Sequence, residues 1–221
     1  YYLLFSKILY DYILLSSLIF LIGFLDDLKI KITPARRLMV MILILFSFSY
    51  IFQLKILHVD IIFIKFITEN HFLSTIFVLL CFLFVVNGAN LIDGFNGMLT
   101  IHIIIINSIL AYINLENSNL EFSFIIISQI IILLSFLLFN FPKAKIFLGD
   151  GGAYLLGSLI ALNVIITNNL YPNISSFFFC TLLFYLFFEV FFSFFRKLYN
   201  GKSPFYPDDS HLHLSLIHIS E

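Results

Sequence analysis

The chain has 221 residues, of which 61% are hydrophobic and only 11% are charged, and its formal net charge at pH 7 is −1. Soluble globular domains carry about 25% charged residues, so this composition excludes an ordinary soluble domain and indicates a membrane protein. The balanced charge provides no basic surface for nucleic acid, and we expect no nucleic acid among the partners.

Apolar runs of about 20 residues are long enough to cross a bilayer, and several follow one another here. We predict an all-α polytopic membrane protein with about seven transmembrane helices. The predicted spans lie near residues 8–25, 35–52, 72–87, 98–113, 122–141, 152–168 and 175–195. Residues 53–71 mix polar and β-branched side chains, which predicts a surface hairpin or an interfacial helix between the second and third spans.

The first residue is Tyr1 rather than Met, which is typical of the interior of a longer protein. We therefore expect residues 1–214 to form a single transmembrane domain whose earlier N-terminal spans are missing. Residues 215–221 match no pattern and stay unassigned.

Four polar clusters interrupt the apolar runs, at residues 23–29, 86–97, 145–152 and 203–214. Two predicted spans separate each cluster from the next, and an even number of crossings returns a chain to the same side. We therefore expect all four clusters at one membrane face. Nine of the twelve Lys and Arg residues fall on that side, an excess that predicts the cytoplasmic face.

Asp26 and Asp27 close the first predicted span. A charge inside the bilayer costs about 2.5–3.5 kcal/mol on insertion scales, so such acids usually line a polar cavity. Two close carboxylates also raise each other's proton affinity, which would leave one as a base and the other as an orienting or metal-side group. The alternative is that both aspartates only mark the membrane boundary.

The stretch VNGANLIDGFNG, residues 86–97, places Asn87, Asn90 and Asp93 three residues apart. On a helix these side chains spread over one face, and Gly94 and Gly97 can then redirect the chain. Amide and carboxylate oxygens suit Mg²⁺, so the stretch predicts the wall of a metal-binding pocket. Helix capping with close glycine packing is the alternative.

Asp150 lies between glycines in FLGDGG, at the start of a span. Free N–H groups at a helix N-terminus attract phosphate, and an Asp there would hold a cation beside it. A simple helix N-cap explains Asp150 equally well.

His211 and His213 lie in a loop after the last span. Residues two apart in an extended loop face the same way, so both imidazoles could reach one anionic group. Zinc binding is a rival hypothesis, although no Cys or further His has suitable spacing. Solvated surface histidines are the simplest alternative.

Taken together, DD, NxxNxxDGxxG, GDGG and HLH in this order resemble the polyprenyl-phosphate N-acetylhexosamine-1-phosphate transferases. That family includes the bacterial enzymes that start the lipid-linked sugars of peptidoglycan, O-antigen and teichoic acid. The resemblance implies that a polyprenyl phosphate, such as undecaprenyl phosphate, attacks the β-phosphorus of a UDP-N-acetylhexosamine and releases UMP. It implies Mg²⁺ as cofactor, with Mn²⁺ as a substitute, and a place in the bacterial cytoplasmic membrane. It leaves a homodimer open.

The resemblance also implies roles for individual residues. Asp26, Asp27 and Asp93 match catalytic acidic positions, and Asp150 with Asn90 matches the metal-binding positions. The residues that it implies in substrate binding are Lys29, Asn87, Asn96, Phe147, His211 and His213.

Three sequence features depart from the family pattern. Many bacterial members carry Asp where this chain has Asn96, Ala153 and its neighbours depart from the usual GDxGS, and Leu214 replaces a further histidine. A secondary transporter is the main alternative from another class, but no internal repeat is visible. A non-catalytic membrane assembly subunit is the other alternative.

Overall fold

A computed structural model of the chain describes residues 2–28, 30 and 33–201, with side chains from residue 9 onward. Within those residues the protein is helical and contains no β-strand. The helices are Tyr2–Asp27 (α1), Pro34–Ile51 (α2), Ile62–Glu69 (α3), His71–Ile92 (α4), Met98–Glu116 (α5), Leu120–Asn140 (α6), Gly149–Leu170 (α7), Ser176–Leu182 (α8) and Phe184–Tyr199 (α9).

The helices confirm the predicted polytopic membrane fold. Six of them, α1, α2 and α4 to α7, are long and apolar enough to cross a bilayer. The pair α8 and α9 is bent by 62° and could form a seventh span. Of the two predictions for residues 53–71, the interfacial helix fits better, because α3 is a short amphipathic helix and residues 53–61 carry no regular structure.

Local capping sets where four of the helices begin. Thr33 caps α2, Asn70 caps α4, Asn119 caps α6 and Ser175 caps α8, each with a side-chain oxygen that accepts a backbone N–H. Helix α7 has no such residue, because its N-cap position is Leu148. Its first N–H groups must therefore find acceptors elsewhere in the fold.

Helix α7 is the centre of the bundle and packs mainly against α1 and α4, with α5 as a further neighbour. Many of its side chains are buried, among them Tyr154 and Ile160. By contrast, α2 and α6 expose most of their apolar side chains outward, as lipid-facing helices do. The position of α7 makes it the element against which the others are aligned.

A network of polar side chains joins four helices inside the membrane span. The Nδ2 of Asn163 on α7 donates to Oδ1 of Asn107 on α5 and to Oε1 of Gln129 on α6, both at 2.8 Å. The hydroxyl of Tyr12 on α1 donates to Oδ1 of Asn163. Hydrocarbon offers no water to such groups, so these hydrogen bonds fix which helix faces meet.

Polar contacts also anchor residues 53–61 at the end of the bundle opposite to the clusters. Asn169 accepts from the backbone N–H of Leu57 and donates to the carbonyl of Lys55, both at 2.7 Å. The carboxylate of Asp60 accepts hydrogen bonds from Ser175 and Ser176, which lower the pKa of Asp60. The segment is thereby tied to the C-terminus of α7 and the N-terminus of α8.

Candidate active site at the junction of α1, α2 and α7

The carboxylate of Asp27 caps α7 from a neighbouring helix. Its two oxygens accept the backbone N–H groups of Asp150 and Gly151, each at 2.9 Å. These are donors in the first turn of α7, which has no cap of its own. The end of α1 and the start of α7 are thereby joined, and Asp150 is fixed beside the aspartate pair.

Two glycines allow this close approach. A Cβ at Gly23 would lie 2.5 Å from the backbone carbonyl of Asp150, so α1 could not pack as closely with a larger residue. Gly149 has a φ of +71°, and a Cβ there would lie 2.7 Å from Oδ2 of Asp27. Gly23 in GFLDD and Gly149 in LGDGG therefore allow the two motifs to come into close contact.

Arg37, near the start of α2, links Asp26 to Asp150. Its Nη1 pairs with Oδ2 of Asp26 and lies 2.9 Å from Oδ2 of Asp150. Its guanidinium carbon also lies 5.5 Å from the centre of the Tyr154 ring. In the sequence, Arg37 is one of nine basic residues on this side. The available signal was its position in the first turn of the helix that follows the aspartate pair.

Asp93 lies at the C-terminal cap of α4, close enough to the other acids for their charges to affect it. Burial raises the pKa of Asp93 to about 7, and the charges of Asp150 and Asp27 add to the effect. At neutral pH this carboxyl is therefore ionised less completely than a free aspartate. The structure thus brings together the four aspartates that the sequence analysis placed at one face.

The two asparagines of α4 lie in different surroundings. Helix α4 continues to Ile92, beyond the predicted end at residue 87, and Nδ2 of Asn87 donates to the carbonyl of Leu83 one turn earlier, at 2.7 Å. This contact favours the structural interpretation of Asn87 over substrate binding. Asn90 is half-buried, and no side-chain hydrogen bond engages it within the part of the chain that the structure describes.

The turn between α4 and α5 is held against the loop that precedes α7. Nδ2 of Asn96 donates to the carbonyl of Pro142 at 3.2 Å, and the N–H of Gly97 donates to Oδ1 of Asn140 at 2.5 Å. Phe147 on the same loop is 79% exposed. The structure therefore puts two of the predicted substrate-binding residues, Asn96 and Phe147, on two segments that touch. Asn140 was not singled out in the sequence, because it ends an otherwise apolar span.

Three predicted substrate-binding residues, Lys29, His211 and His213, lie outside the described residues. Within the described ranges, no three His, Cys, Asp or Glu side chains are arranged to hold a metal ion by themselves. Asp26 and Asp150 nevertheless meet at one guanidinium nitrogen, which shows that oxygens from two helices can reach one cation. Mg²⁺ commonly takes one or two carboxylates and completes its shell with water and phosphate, so this donor set fits it.

Comparison with known proteins finds several bacterial relatives of this chain. The chain is 32% identical over 138 residues to undecaprenyl-phosphate alpha-N-acetylglucosaminyl 1-phosphate transferase of Thermotoga maritima, covering 62% of this chain and 41% of that protein. It is 32% identical over 154 residues to phospho-N-acetylmuramoyl-pentapeptide-transferase of Streptococcus sanguinis, covering 63% and 45%. A probable undecaprenyl-phosphate N-acetylglucosaminyl 1-phosphate transferase of Bacillus subtilis is 31% identical over 170 residues, covering 73% and 46%.

The chain thus spans a little less than half the length of these relatives. The profile of Glycosyl transferase family 4 matches residues 9–168, which run from the first span to the end of α7 and contain the four aspartates. On the strength of that match, together with the aspartates that the fold brings to one junction, the chain belongs to glycosyl transferase family 4.

Proposed function

We propose that the full-length protein transfers an N-acetylhexosamine-1-phosphate from a UDP-sugar to a polyprenyl phosphate such as undecaprenyl phosphate. An oxygen of the lipid phosphate would attack the β-phosphorus of the nucleotide sugar. The bond from that phosphorus to the oxygen that bridges it to the α-phosphorus would break, and UMP would leave with the bridging oxygen. The observation that carries the proposal is the junction of α1, α2 and α7, where Asp26, Asp27 and Asp150 meet in a member of this family.

Phosphoryl transfer requires positioning and charge neutralisation more than covalent help from the protein, and we assign these roles to different residues. Asp150 and Asn90 would hold Mg²⁺, or Mn²⁺ in its place, and the bound cation supplies neutralisation of the diphosphate charge. Asp26 and Asp93, which adjoin Asp150 in the fold, would orient the lipid phosphate or hold its proton. That phosphate is already largely anionic near pH 7, so the requirement for a base is modest.

The geometry suggests a different task for Asp27 from the one expected of a base. Both of its oxygens accept hydrogen bonds from the first turn of α7. We therefore assign Asp27 as a positioning residue that holds the backbone of Asp150 in place.

Asn96 and Phe147 would contact the uracil, through amide hydrogen bonds and ring stacking. The exposure of Phe147 leaves its ring available for such stacking. The alternatives of a secondary transporter or a non-catalytic assembly subunit receive no support from an observation of this fold.

The test is an assay on membranes that contain the full-length protein, with undecaprenyl phosphate and a panel of UDP-N-acetylhexosamines. We expect UMP release that requires both the lipid phosphate and a divalent cation, and that stops on addition of EDTA. A reaction without the lipid phosphate is the control for simple hydrolysis. Absence of UMP release with every sugar of the panel would contradict the proposal.

We further propose that the protein lies in the bacterial cytoplasmic membrane with the aspartate junction facing the cytoplasm, as the excess of basic residues on that side indicates. Single cysteines can be introduced at Ile146 and at Leu57 after Cys81 and Cys180 are replaced by serine. Both positions are exposed, at opposite ends of the bundle. A membrane-impermeant maleimide should label Leu57→Cys in intact cells and Ile146→Cys only after permeabilisation. The reverse pattern would overturn the orientation.

A further inference from the structure

We infer that Arg37 and the divalent cation exchange places at Asp150: the guanidinium neutralises the carboxylates while no metal is bound, and metal binding displaces it from Asp150. The inference rests on the proposed function, because it takes Asp150 as a metal ligand. It adds a role for Arg37 that the comparison with relatives does not supply.

The position of one atom is the first argument. A single nitrogen of Arg37, Nη1, contacts Oδ2 of Asp26 and Oδ2 of Asp150. A cation bound to Oδ2 of Asp150 on the side that faces Asp26 would take the place that Nη1 occupies. Mg²⁺ at about 2.0–2.1 Å from that oxygen would leave no room for the guanidinium nitrogen at the same position.

The charge of the junction is the second argument. Four aspartates lie close enough for the charges of Asp27 and Asp150 to raise the pKa of Asp93. The side chains of Arg37, Asp26 and Asp150 are 21%, 27% and 34% exposed, so solvent screens these charges only in part. Without any cation the carboxylates would repel one another, and Arg37 relieves that repulsion. A divalent cation would relieve it better and would repel the guanidinium at the same oxygen.

The third argument is that the displaced side chain has a second contact. The guanidinium carbon of Arg37 already lies 5.5 Å from the centre of the Tyr154 ring. Tyr154 is fully buried on α7, and its ring stays available when Asp150 is released. Arg37 can therefore leave Asp150 without losing every favourable contact of its charge.

The experiment measures binding of Mn²⁺ alone to the full-length protein, without substrate, by the loss of the free-ion electron paramagnetic resonance signal. Arg37→Met removes the competing charge and should tighten Mn²⁺ binding by about tenfold, since a unit charge a few ångströms from a divalent ion opposes it strongly. Arg37→Lys keeps a cation and should change the affinity less. Arg36→Met, at the exposed neighbouring arginine, is the matched control and should bind Mn²⁺ as the wild type does.

Thermal unfolding provides a second readout, because a ligand that binds the folded state stabilises it. In EDTA, Arg37→Met should unfold at a lower temperature than the wild type. Saturating Mn²⁺ should raise the unfolding temperature of Arg37→Met by more than it raises that of the wild type. If Arg37→Met cannot be purified, Arg37→Gln is the neutral substitute for both measurements.

Equal or weaker Mn²⁺ binding by Arg37→Met would overturn the exchange, because it would mean that Arg37 is indifferent to the cation or helps to hold it. Absence of Mn²⁺ binding in wild type and variant alike would overturn it as well. The proposed function fails separately: a protein that shows the tighter binding but releases no UMP would keep the exchange and lose the transferase activity.

Discussion

Replacement of Asp150 by alanine is expected to lower UMP release by about 10²–10³-fold, the usual effect of removing one strong electrostatic contact from a phosphoryl-transfer site. The carboxylate of Asp150 is one of two that meet at Arg37, and it is the proposed metal ligand on α7. The backbone of residue 150 would remain in place, because its N–H is held by Asp27 rather than by its own side chain. The variant should therefore insert and fold while losing turnover.

Asp150→Asn is the sharper companion variant, since it keeps the shape of the side chain and removes the charge. Asp60→Asn is the matched control, because Asp60 lies at the opposite end of the bundle among Ser175 and Ser176. It should retain wild-type turnover. If Asp150→Ala kept more than about a tenth of the wild-type turnover, the metal assignment would be wrong, because loss of a metal ligand costs far more than that.

The second large effect is expected for Gly23→Ala. The new methyl group would lie 2.5 Å from the carbonyl carbon and oxygen of Asp150 and 2.6 Å from Cα of Gly151, and these are backbone atoms that cannot rotate away. Overpacking of this kind costs about 1–3 kcal/mol of unfolding free energy. Helix α1 would also shift from α7 and carry Asp27 away from the N–H groups that it caps. A displacement of about 1 Å in a catalytic arrangement can cost about 10²-fold in rate.

Gly152→Ala is the control for this variant, because it makes the same change on α7, next to the Asp150 and Gly151 backbone that Gly23 contacts. A Cβ there would meet mainly the side chain of Leu148, whose flexible end can move. We expect nearly wild-type unfolding temperature and turnover for Gly152→Ala and losses of both for Gly23→Ala. Equal behaviour of the two variants would show that the close contact of α1 with α7 is not needed for activity.

The sequence predicted those features that depend only on the number of membrane spans between the polar clusters. The order of spans and clusters predicted that Asp26, Asp93 and Asp150 would come to one end of the bundle, because an even number of crossings leaves little choice. It did not predict that Asp27 would cap α7. That contact depends on how far α1 slides along α7, which no local pattern encodes.

The same limit applies to Arg37, Asn163 and the last span. Nine basic residues fall on one side, and their positions do not separate Arg37 from Arg36, its neighbour in the first turn of α2. Asn163 lies in a run that reads as apolar, so its partners on three other helices follow only from packing. Residues 175–195 contain neither Gly nor Pro, the usual causes of a kink, and yet α8 and α9 diverge by 62°.

The hydrogen bond between Tyr12 and Asn163 has a consequence for how the protein is made, because its partners are 151 residues apart in the chain. During synthesis the first of these helices enters the bilayer long before the last one exists. Until Asn163 has been inserted, the hydroxyl of Tyr12 either has no acceptor or uses a temporary one. Apolar helix surfaces pack against many different neighbours. An unsatisfied hydrogen-bond donor in the bilayer, by contrast, costs free energy in every arrangement that leaves it without its acceptor. The hydrogen bond to Asn163 therefore favours the arrangement in which α1 lies beside α7, and it can form only after α7 has been inserted.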